Sequence, residues 1–275
     1  MYIIRIYSSV NCKNQKIMKN TDKKNEKNDL THFGYRSVPA SIKTDLVKGV
    51  FESVARNYDL MNDLMSIGLH RKWKDSLVRK IYFRKNLKIL DAASGTGDVI
   101  NRIAKIASIK KINIELFSLD LTHSMIKIGR DRSINNGLIN HINWINADGT
   151  ALPFKDQSMD IYLIAFGIRN ITNHKVALDE AFRILKPGGQ FLCLEFSKVH
   201  PTFKKIYDIY SHKVIPNLGK LISNDRSSYQ YLVESIRKFP DQKEFSQLLS
   251  NTGFSKVNYK NLNLGVAAIY SCWKL

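Results

Sequence analysis

The chain has 275 residues, of which 44% are hydrophobic and 10% aromatic, enough for one substantial core. Its 43 Lys and Arg outnumber 24 Asp and Glu, and the resulting formal net charge of +19 would favour contact with nucleic acid or an anionic membrane. Three widely spaced cysteines without a CxxC pair argue against a disulfide framework and a zinc site, and fit a reducing compartment.

The N-terminal 40 residues differ in composition from the rest of the chain. Residues 1–21 carry four basic residues and two adjacent serines, and no acidic residue precedes Asp22. A basic, acid-free and partly apolar N-terminus is typical of a mitochondrial transit peptide. Residues 22–40 are polar and charged, with one Gly and one Pro, and they predict a linker. We therefore expect a targeting segment and linker over residues 1–40 and a folded domain over residues 41–275.

From residue 41 to about residue 83, apolar residues recur at helical spacing and predict two or three helices. Strand-like and helix-like segments then alternate. The predicted strands are Leu87–Ala92, Ile112–Leu119, Ile142–Ala147, Met159–Phe166 and Gln190–Phe196. The predicted helices between them are Asp98–Ala107, Thr122–Asn136 and His174–Leu185. This alternation predicts an α/β fold with an open, mostly parallel sheet, to which the last 22 residues add two strands around Leu264 and Gly265.

A glycine-rich turn, LDAASGTGDV at residues 90–99, follows the first predicted strand. Ligands of open α/β sheets bind beyond the carboxyl ends of the strands. Gly95 and Gly97 would let the backbone approach a ligand there, and the helix that begins near Asp98 would point its amide groups at it. A dinucleotide site would have a third glycine where Ile100 stands, and a P-loop would continue with Lys and Ser or Thr. The turn therefore disfavours a pyrophosphate ligand.

Two acidic residues follow the next two predicted strands. Asp120 lies where a carboxylate usually accepts the two hydroxyls of a ribose. Asp148 precedes Gly149 at the end of the third strand, where it could accept from an adenine amino group. Each acid alone could be an ordinary strand-end turn residue. Together with the glycine-rich turn, they predict an adenosine-bearing cofactor without a pyrophosphate, namely S-adenosylmethionine (SAM).

Longer stretches resemble one protein family. YDLMNDLMSIGLHRKW (residues 58–73) and RILKPGGQFLCLEFS (residues 183–197) resemble the two signature motifs of the ubiquinone/menaquinone-biosynthesis C-methyltransferases. AFGIRN, SYQYLVESI and FPDQ resemble the same family, and the similarity runs from about Phe33 to the C-terminus. The resemblance implies a class I SAM-dependent methyltransferase fold, which is Rossmann-like. Its sheet would have seven strands, the last of them antiparallel, with N-terminal helices and a lid insertion.

The resemblance is greatest to the mitochondrial members that act in ubiquinone synthesis. It implies methylation of a ring carbon of 2-methoxy-6-polyprenyl-1,4-benzoquinol at the matrix face of the inner mitochondrial membrane. The implied partners are the polyprenyl benzoquinol, other ubiquinone-biosynthesis proteins in a membrane-associated complex, the membrane surface and a second copy of the chain, but no nucleic acid. A segment rich in aromatic and basic residues, residues 203–222, is expected to cover the active site or to dock on the membrane.

The resemblance also assigns roles to single residues. Thr96, Asp120 and the Asp148–Gly149 pair would contact SAM beside Gly95 and Gly97. The candidate catalytic residues are Tyr58, His70, Arg169 and Asn170. Arg169, with Asn170 as a second donor, would stabilise a phenolate oxygen or orient a water molecule. Tyr58 and His70 would line the quinol pocket, with His70 as the more natural proton acceptor. Methyl transfer from a sulfonium needs alignment rather than a metal.

Several alternatives stay open at this point. Arg169 could pair with an acidic residue, and His70 could be a packed helix residue. Demethylmenaquinol is the alternative substrate. An RNA or DNA methyltransferase is less favoured, because AFGIRN follows the fourth strand in place of the Asn/Asp-Pro-Pro-aromatic motif and no cysteine lies near that strand end. The last alternative is a catalytically silent scaffold.

Overall fold

The structure, a computed structural model, describes residues 30–138, 141–202 and 225–275. The described chain begins with a hairpin and three helices: β1 (Leu30–Phe33), β2 (Arg36–Pro39), α1 (Ala40–Val54), α2 (Tyr58–Ser66) and α3 (His70–Val78). The three helices agree with the two or three that the apolar spacing predicts.

The central sheet and its helices follow. In chain order they are β3 (Leu87–Ala92), α4 (Asp98–Ile109), β4 (Ile114–Asp120), α5 (His123–Asn135), β5 (Ile142–Asn146), β6 (Met159–Ala165), α6 (His174–Ile184), β7 (Leu185–Phe196), α7 (Arg226–Lys238), α8 (Gln242–Asn251), β8 (Ser255–Leu262) and β9 (Ala267–Trp273). The order across the sheet is β5-β4-β3-β6-β7-β9-β8. Strands β3 to β7 are parallel, and β9 is antiparallel to both of its neighbours. The predicted seven-stranded α/β sheet with an antiparallel last strand is confirmed.

The order of strands places a crevice near the middle of the sheet. The chain builds outward from β3 to β4 and β5, then returns to place β6 on the other side of β3. At such a reversal the loops after β3 and β6 diverge, and a crevice opens beyond their carboxyl ends. The strands beneath it are buried on both faces: Ile89 packs into one apolar cluster and its neighbour Leu90 into the other. The crevice therefore lies on a rigid base.

The hairpin corrects one expectation, since residues 30–39 belong to the segment predicted as a linker. Phe33 is buried and its ring stacks on Tyr231 of α7 at a centroid distance of 4.2 Å. The backbone N–H of Tyr35 donates to Glu234 Oε2 over 2.9 Å. Four-residue strands with mostly exposed side chains offer too little alternation for a strand prediction. The hairpin instead fixes the start of α1 against α7.

Two predicted segments lie outside the described residues: the targeting segment, as far as residue 29, and the lid over residues 203–222. The lid therefore stays a prediction from the sequence. Among the helices that the structure describes, none combines the length and the apolar character needed to cross a bilayer.

Candidate functional site

A cavity of about 320 Å³ lies at the carboxyl ends of β3, β4, β5 and β6, with α1 on its other side. Six residues predicted from the sequence line it: Tyr58, Gly95, Asp120, Asp148, Gly149 and Asn170. They come from five separate stretches of the chain, and the fold brings them together. Four side chains of α1 that the sequence did not indicate complete the lining: Thr44, Val47, Lys48 and Phe51.

Asp120, the last residue of β4, has both carboxylate oxygens fixed by backbone groups. Oδ2 accepts from the Gly95 N–H and Oδ1 accepts from the Thr122 N–H, each over 2.8 Å. The residue is 9% exposed, and burial raises the pKa of its carboxyl above the usual range. Each oxygen keeps a further lone pair, so the pair of oxygens can accept two adjacent hydroxyls of a ligand.

The glycine-rich turn is tightly packed. Gly95 has a φ of 56°, and a Cβ there would lie 3.4 Å from the Tyr58 ring. Gly97 has a φ of 71° and lies at the N-terminus of α4, where a Cβ would lie only 2.4 Å from the Trp144 ring. Thr96 between them is buried and does not line the cavity; its hydroxyl accepts from Arg132 over 3.4 Å. Gly95 faces the cavity, whereas Gly97 and Thr96 support the turn from behind.

Asp148 and Gly149 follow β5. Asp148 Oδ1 accepts from the backbone N–H and the hydroxyl of Thr150, over 2.7 Å and 2.8 Å. No described residue donates to Oδ2, which can therefore accept from a ligand amino group. A Cβ at Gly149 would meet the Ile171 side chain at 3.5 Å. The two residues thus border a narrow apolar gap with a carboxylate at its edge, which suits a flat, amino-bearing ring.

Tyr58 and Asn170 bring polar atoms into a mostly apolar part of the cavity. Burial raises the pKa of Tyr58 to about 12, so its hydroxyl stays protonated at neutral pH. Asn170 lies in the helical turn after β6, where its side-chain oxygen accepts from the Tyr231 hydroxyl over 3.1 Å. With the oxygen occupied, the Asn170 amide N–H groups are left to donate to a ligand.

Arg169 does not line this cavity, although it precedes Asn170. Its Nη1 donates to Glu195 Oε1 over 2.8 Å and to the Phe166 carbonyl, and its backbone N–H lies 3.3 Å from Glu195 Oε2. Both side chains are at most 3% exposed. The guanidinium thus fixes the turn that presents Asn170. Its predicted contact with a quinol oxygen stays a prediction, and this ion pair would have to rearrange to make it.

His70 also lies apart from the cavity. It begins α3, and its Nε2 lies 2.9 Å from Asp63 Oδ1, whose carboxylate also accepts from Arg71. Burial lowers the pKa of His70 below its usual value. The structure therefore brings Tyr58 and Asn170 together but separates them from His70, whose catalytic role remains a prediction without geometric support.

We expect Asp120→Ala to weaken SAM binding by about 1–3 kcal/mol, since a buried charged acceptor would be lost. Asp120→Asn keeps one acceptor oxygen, and its loss of affinity should be smaller. Isothermal titration calorimetry with SAM measures both effects. Asp131→Ala is the matched control, because Asp131 is an exposed acid on α5. Unchanged affinity in Asp120→Ala would remove Asp120 from the site.

Comparisons with known proteins identify the family. Residues 40–274 match the model of the ubiE/COQ5 methyltransferase family. A "Ubiquinone/menaquinone biosynthesis C-methyltransferase UbiE" from Dinoroseobacter shibae is 51% identical over 246 residues, which is 89% of this chain and 97% of the relative. The protein of the same name from Bartonella quintana is 50% identical over 88% of this chain and 94% of its own length.

Solved structures show the same fold at low sequence identity. A SAM-dependent methyltransferase from Thermotoga maritima has a TM-score of 0.55 at 18% identity, covering 82% of this chain and 99% of its own. Phosphoethanolamine N-methyltransferase 2 from Haemonchus contortus, crystallised with SAM, has a TM-score of 0.52 at 12% identity, covering 74% of this chain and 52% of its own. The predicted class I SAM-dependent methyltransferase fold is confirmed.

The described residues fit SAM as the cofactor. A buried carboxylate with two free lone pairs suits the ribose, and the gap beside Asp148 suits the adenine. The turn at Gly95 leaves room that a side chain would fill. The predicted cofactor is thus confirmed at the level of the family and the fold.

The comparisons overturn the mitochondrial location. The similar curated proteins from Dinoroseobacter shibae, Roseobacter denitrificans and Bartonella quintana are bacterial, and they point to a bacterial protein. The expected place at the inner mitochondrial membrane is therefore wrong, and the transit peptide is without support. Lys and Arg are abundant along the whole chain, so a basic N-terminus was weak evidence for a targeting signal.

Proposed function

The chain belongs to the ubiE/COQ5 methyltransferase family, and on that basis we propose that it methylates a ring carbon of 2-methoxy-6-polyprenyl-1,4-benzoquinol. It is a SAM-dependent C-methyltransferase of quinone biosynthesis. The observation that carries the proposed substrate is the cavity itself. Asn170 and Tyr58, two neutral hydrogen-bonding groups, project into a largely aromatic and aliphatic enclosure that suits an uncharged quinol ring.

SAM, when bound, supplies a methyl group that its sulfonium centre has already activated. The residues that would hold it are Asp120 for the ribose and Asp148 with Gly149 for the adenine. Gly95 lets the backbone come close to the rest of the cofactor. Since all these residues lie at or just beyond the carboxyl ends of strands of one sheet, the fold itself sets their positions. Such alignment can supply about 7–11 kcal/mol of the barrier reduction.

The chain's own contribution to the chemistry is to bind the quinol oxygen and exclude water. Asn170 can donate an amide N–H to an oxygen as negative charge develops on it, and the Tyr58 hydroxyl can donate a second bond. Phe51 and Phe166 form apolar walls of the cavity. With water excluded, such hydrogen bonds are stronger than they would be in solution. Arg169 is a positioning residue in this scheme, because it acts by fixing the turn that carries Asn170.

Demethylmenaquinol is the second candidate substrate. The names of the bacterial relatives cover both quinones, and a naphthoquinol offers the same oxygen to Asn170 as a benzoquinol. We also propose two kinds of partner. One is a membrane surface, which would deliver the polyprenyl tail, and the other is the set of other enzymes of quinone biosynthesis. The net charge of +19 supports an anionic membrane surface.

The test is transfer of a labelled methyl group by the purified protein. A short-tail demethylated benzoquinol, the matching naphthoquinol and bulk RNA would compete in one reaction, and products would be separated by chromatography. We expect label in the benzoquinol, with a turnover number about 10²–10³ lower in Asn170→Ala. Asp179→Ala, which changes an exposed acid of α6, should retain full activity. Label predominantly in the naphthoquinol would move the proposal to menaquinone synthesis, and label in RNA would end it.

A further inference from the structure

A second, smaller cavity of about 120 Å³ lies next to the cofactor cavity, between the hairpin, α1, the turn after β6 and α7. Five of its lining residues carry basic side chains: His32, Lys43, Arg169, His174 and Lys238. Its lining contains no Asp or Glu among the described residues. The cavity is therefore polar and cationic, unlike its neighbour.

Lys43 is the least expected member of this group. It lies on the same face of α1 as Val47, Val50 and Val54, which are all buried, and it is itself only 6% exposed. Burial lowers the pKa of its ammonium. No described residue accepts a hydrogen bond from it or forms an ion pair with it. The side chain is thus buried along its length, and its ammonium, which has no acidic partner among the described residues, is available to an anion in the cavity.

Two more nitrogen atoms of the lining residues are buried without a partner. They are Nε of Arg169 and Nε2 of His174. The Arg169 charge is already balanced through Nη1 by Glu195, which leaves its Nε–H as a spare donor. His174 is the first residue of α6, where the helix dipole also favours an anion. Burial and the Lys43 charge lower the pKa of His174 to about 4.

The acids in the neighbourhood do not balance Lys43. Glu195 is occupied by Arg169 and by the Phe196 N–H. Glu234 accepts from the Tyr35 N–H and from Gln230. Among the described residues, this leaves the second cavity with an excess of positive charge and with donors from α1 and from the turn after β6.

We propose that the second cavity is a binding site for a small tetrahedral oxyanion of the phosphate class. Lys43 would donate from α1 and Arg169 Nε–H from the turn after β6. The neutral His174 ring donates to the Arg169 carbonyl, so its Nε2 would accept a hydrogen bond from a protonated oxygen of the anion. Hydrogen phosphate offers both kinds of contact, whereas a carboxylate only accepts. The site does not depend on the proposed quinol substrate.

The position of the site connects it to the cofactor cavity. Thr172 lines both cavities, and its hydroxyl lies 3.2 Å from that of Thr44, the neighbour of Lys43 on α1. An anion held by Lys43 and Arg169 would therefore tie α1 to the turn that carries Asn170. Occupation of the site would stiffen one wall of the cofactor cavity.

The first test is titration of the full chain with inorganic phosphate in low-chloride buffer, followed by calorimetry and by thermal unfolding. We expect saturable binding and a rise in melting temperature with phosphate concentration. Lys43→Met keeps the length of the side chain and removes the charge, and it should weaken phosphate binding at least tenfold. Lys105→Met, an exposed lysine of α4, is the matched control and should bind phosphate as the parent does.

The same variant separates loss of the site from loss of the fold. Since Lys43→Met removes a partly desolvated ammonium that has no acidic partner among the described residues, its melting temperature without phosphate should equal or exceed that of the parent. A parallel titration with glycerol 3-phosphate shows whether the anion is free or part of an ester. Tighter binding of glycerol 3-phosphate would identify a phosphomonoester as the ligand class, and tighter binding of inorganic phosphate would identify the free ion.

A crystal soaked in selenate would locate the anion by anomalous scattering. We expect a peak between Lys43 and Arg169 that is missing in Lys43→Met. Absence of the peak in the parent, or phosphate affinity within twofold of the parent in Lys43→Met, would overturn the proposal. Failure of the parent to bind phosphate would overturn it equally.

Discussion

Glu195→Ala is expected to lower the free energy of unfolding by about 3–5 kcal/mol. The substitution removes the only buried carboxylate that the described residues offer Arg169, and leaves a guanidinium 3% exposed and unpaired. The loss of stability comes from the buried Arg169 guanidinium that is left without a counter-ion, rather than from the strength of its hydrogen bond to Glu195. Urea unfolding followed by circular dichroism measures it.

Two comparisons isolate the buried pair. The double variant Arg169→Met/Glu195→Leu has no buried charge at this position. It should therefore recover most of the stability that Glu195→Ala loses. Asp179→Ala breaks the exposed pair with Lys175, and should cost less than about 1 kcal/mol. If Glu195→Ala were as stable as Asp179→Ala, the ion pair would not hold the turn. If the stable double variant also kept full methyl transfer, Arg169 would have no positioning role.

Gly97→Ala is expected to cost about 2–5 kcal/mol of stability and to weaken SAM binding. The backbone φ of 71° costs an L residue about 1–2 kcal/mol. The new Cβ would also lie 2.4 Å from Trp144, and such overpacking adds about 1–3 kcal/mol. Because the strained turn also positions Gly95, the cofactor site should loosen with it. Thermal unfolding and SAM titration measure the two effects.

Matched substitutions separate backbone strain from the clash. Gly188 has a φ of 78°, and a Cβ added there would have nothing within 4 Å, so Gly188→Ala reports the backbone cost alone. Trp144→Phe removes the ring atoms that the new Cβ of Gly97→Ala would contact. The double variant Gly97→Ala/Trp144→Phe should therefore recover the stability that is lost to overpacking. Equal losses in Gly97→Ala and Gly188→Ala would show that Trp144 does not constrain the turn.

The sheet was largely predictable because its strands carry strong local signals. Strand β3 begins and ends at the predicted residues, and β4, β5 and β6 do so within two residues. Apolar runs bounded by turn residues specify such strands without reference to the rest of the chain. Asp120 at the end of β4 and Asp148 after β5 were predictable for the same reason, since parallel strands bring their carboxyl ends to one edge.

The charged contacts behind the site were not predictable in the same way. Arg169 and Glu195 lie 26 residues apart, and only the pairing of β6 with β7 brings them together. One signal was present: Glu195 interrupts an apolar run, and a buried acid requires a cationic partner. Lys43 carried a similar signal, because it falls on the apolar face of its helix.

The position of β9 has a consequence for how the protein is made. This last strand lies between β7 and β8, so that β7 keeps an unpaired edge until the end of the chain has been synthesised. About 70 residues separate the two strands. At 5–20 residues per second, the edge of β7 therefore stays unpaired for roughly 4–14 s while the ribosome synthesises the rest of the chain. That edge carries Phe191, Leu192 and Leu194, and an exposed apolar edge invites pairing with other chains. A nascent chain stalled before β9 would thus be the form most prone to aggregate, and most in need of a chaperone.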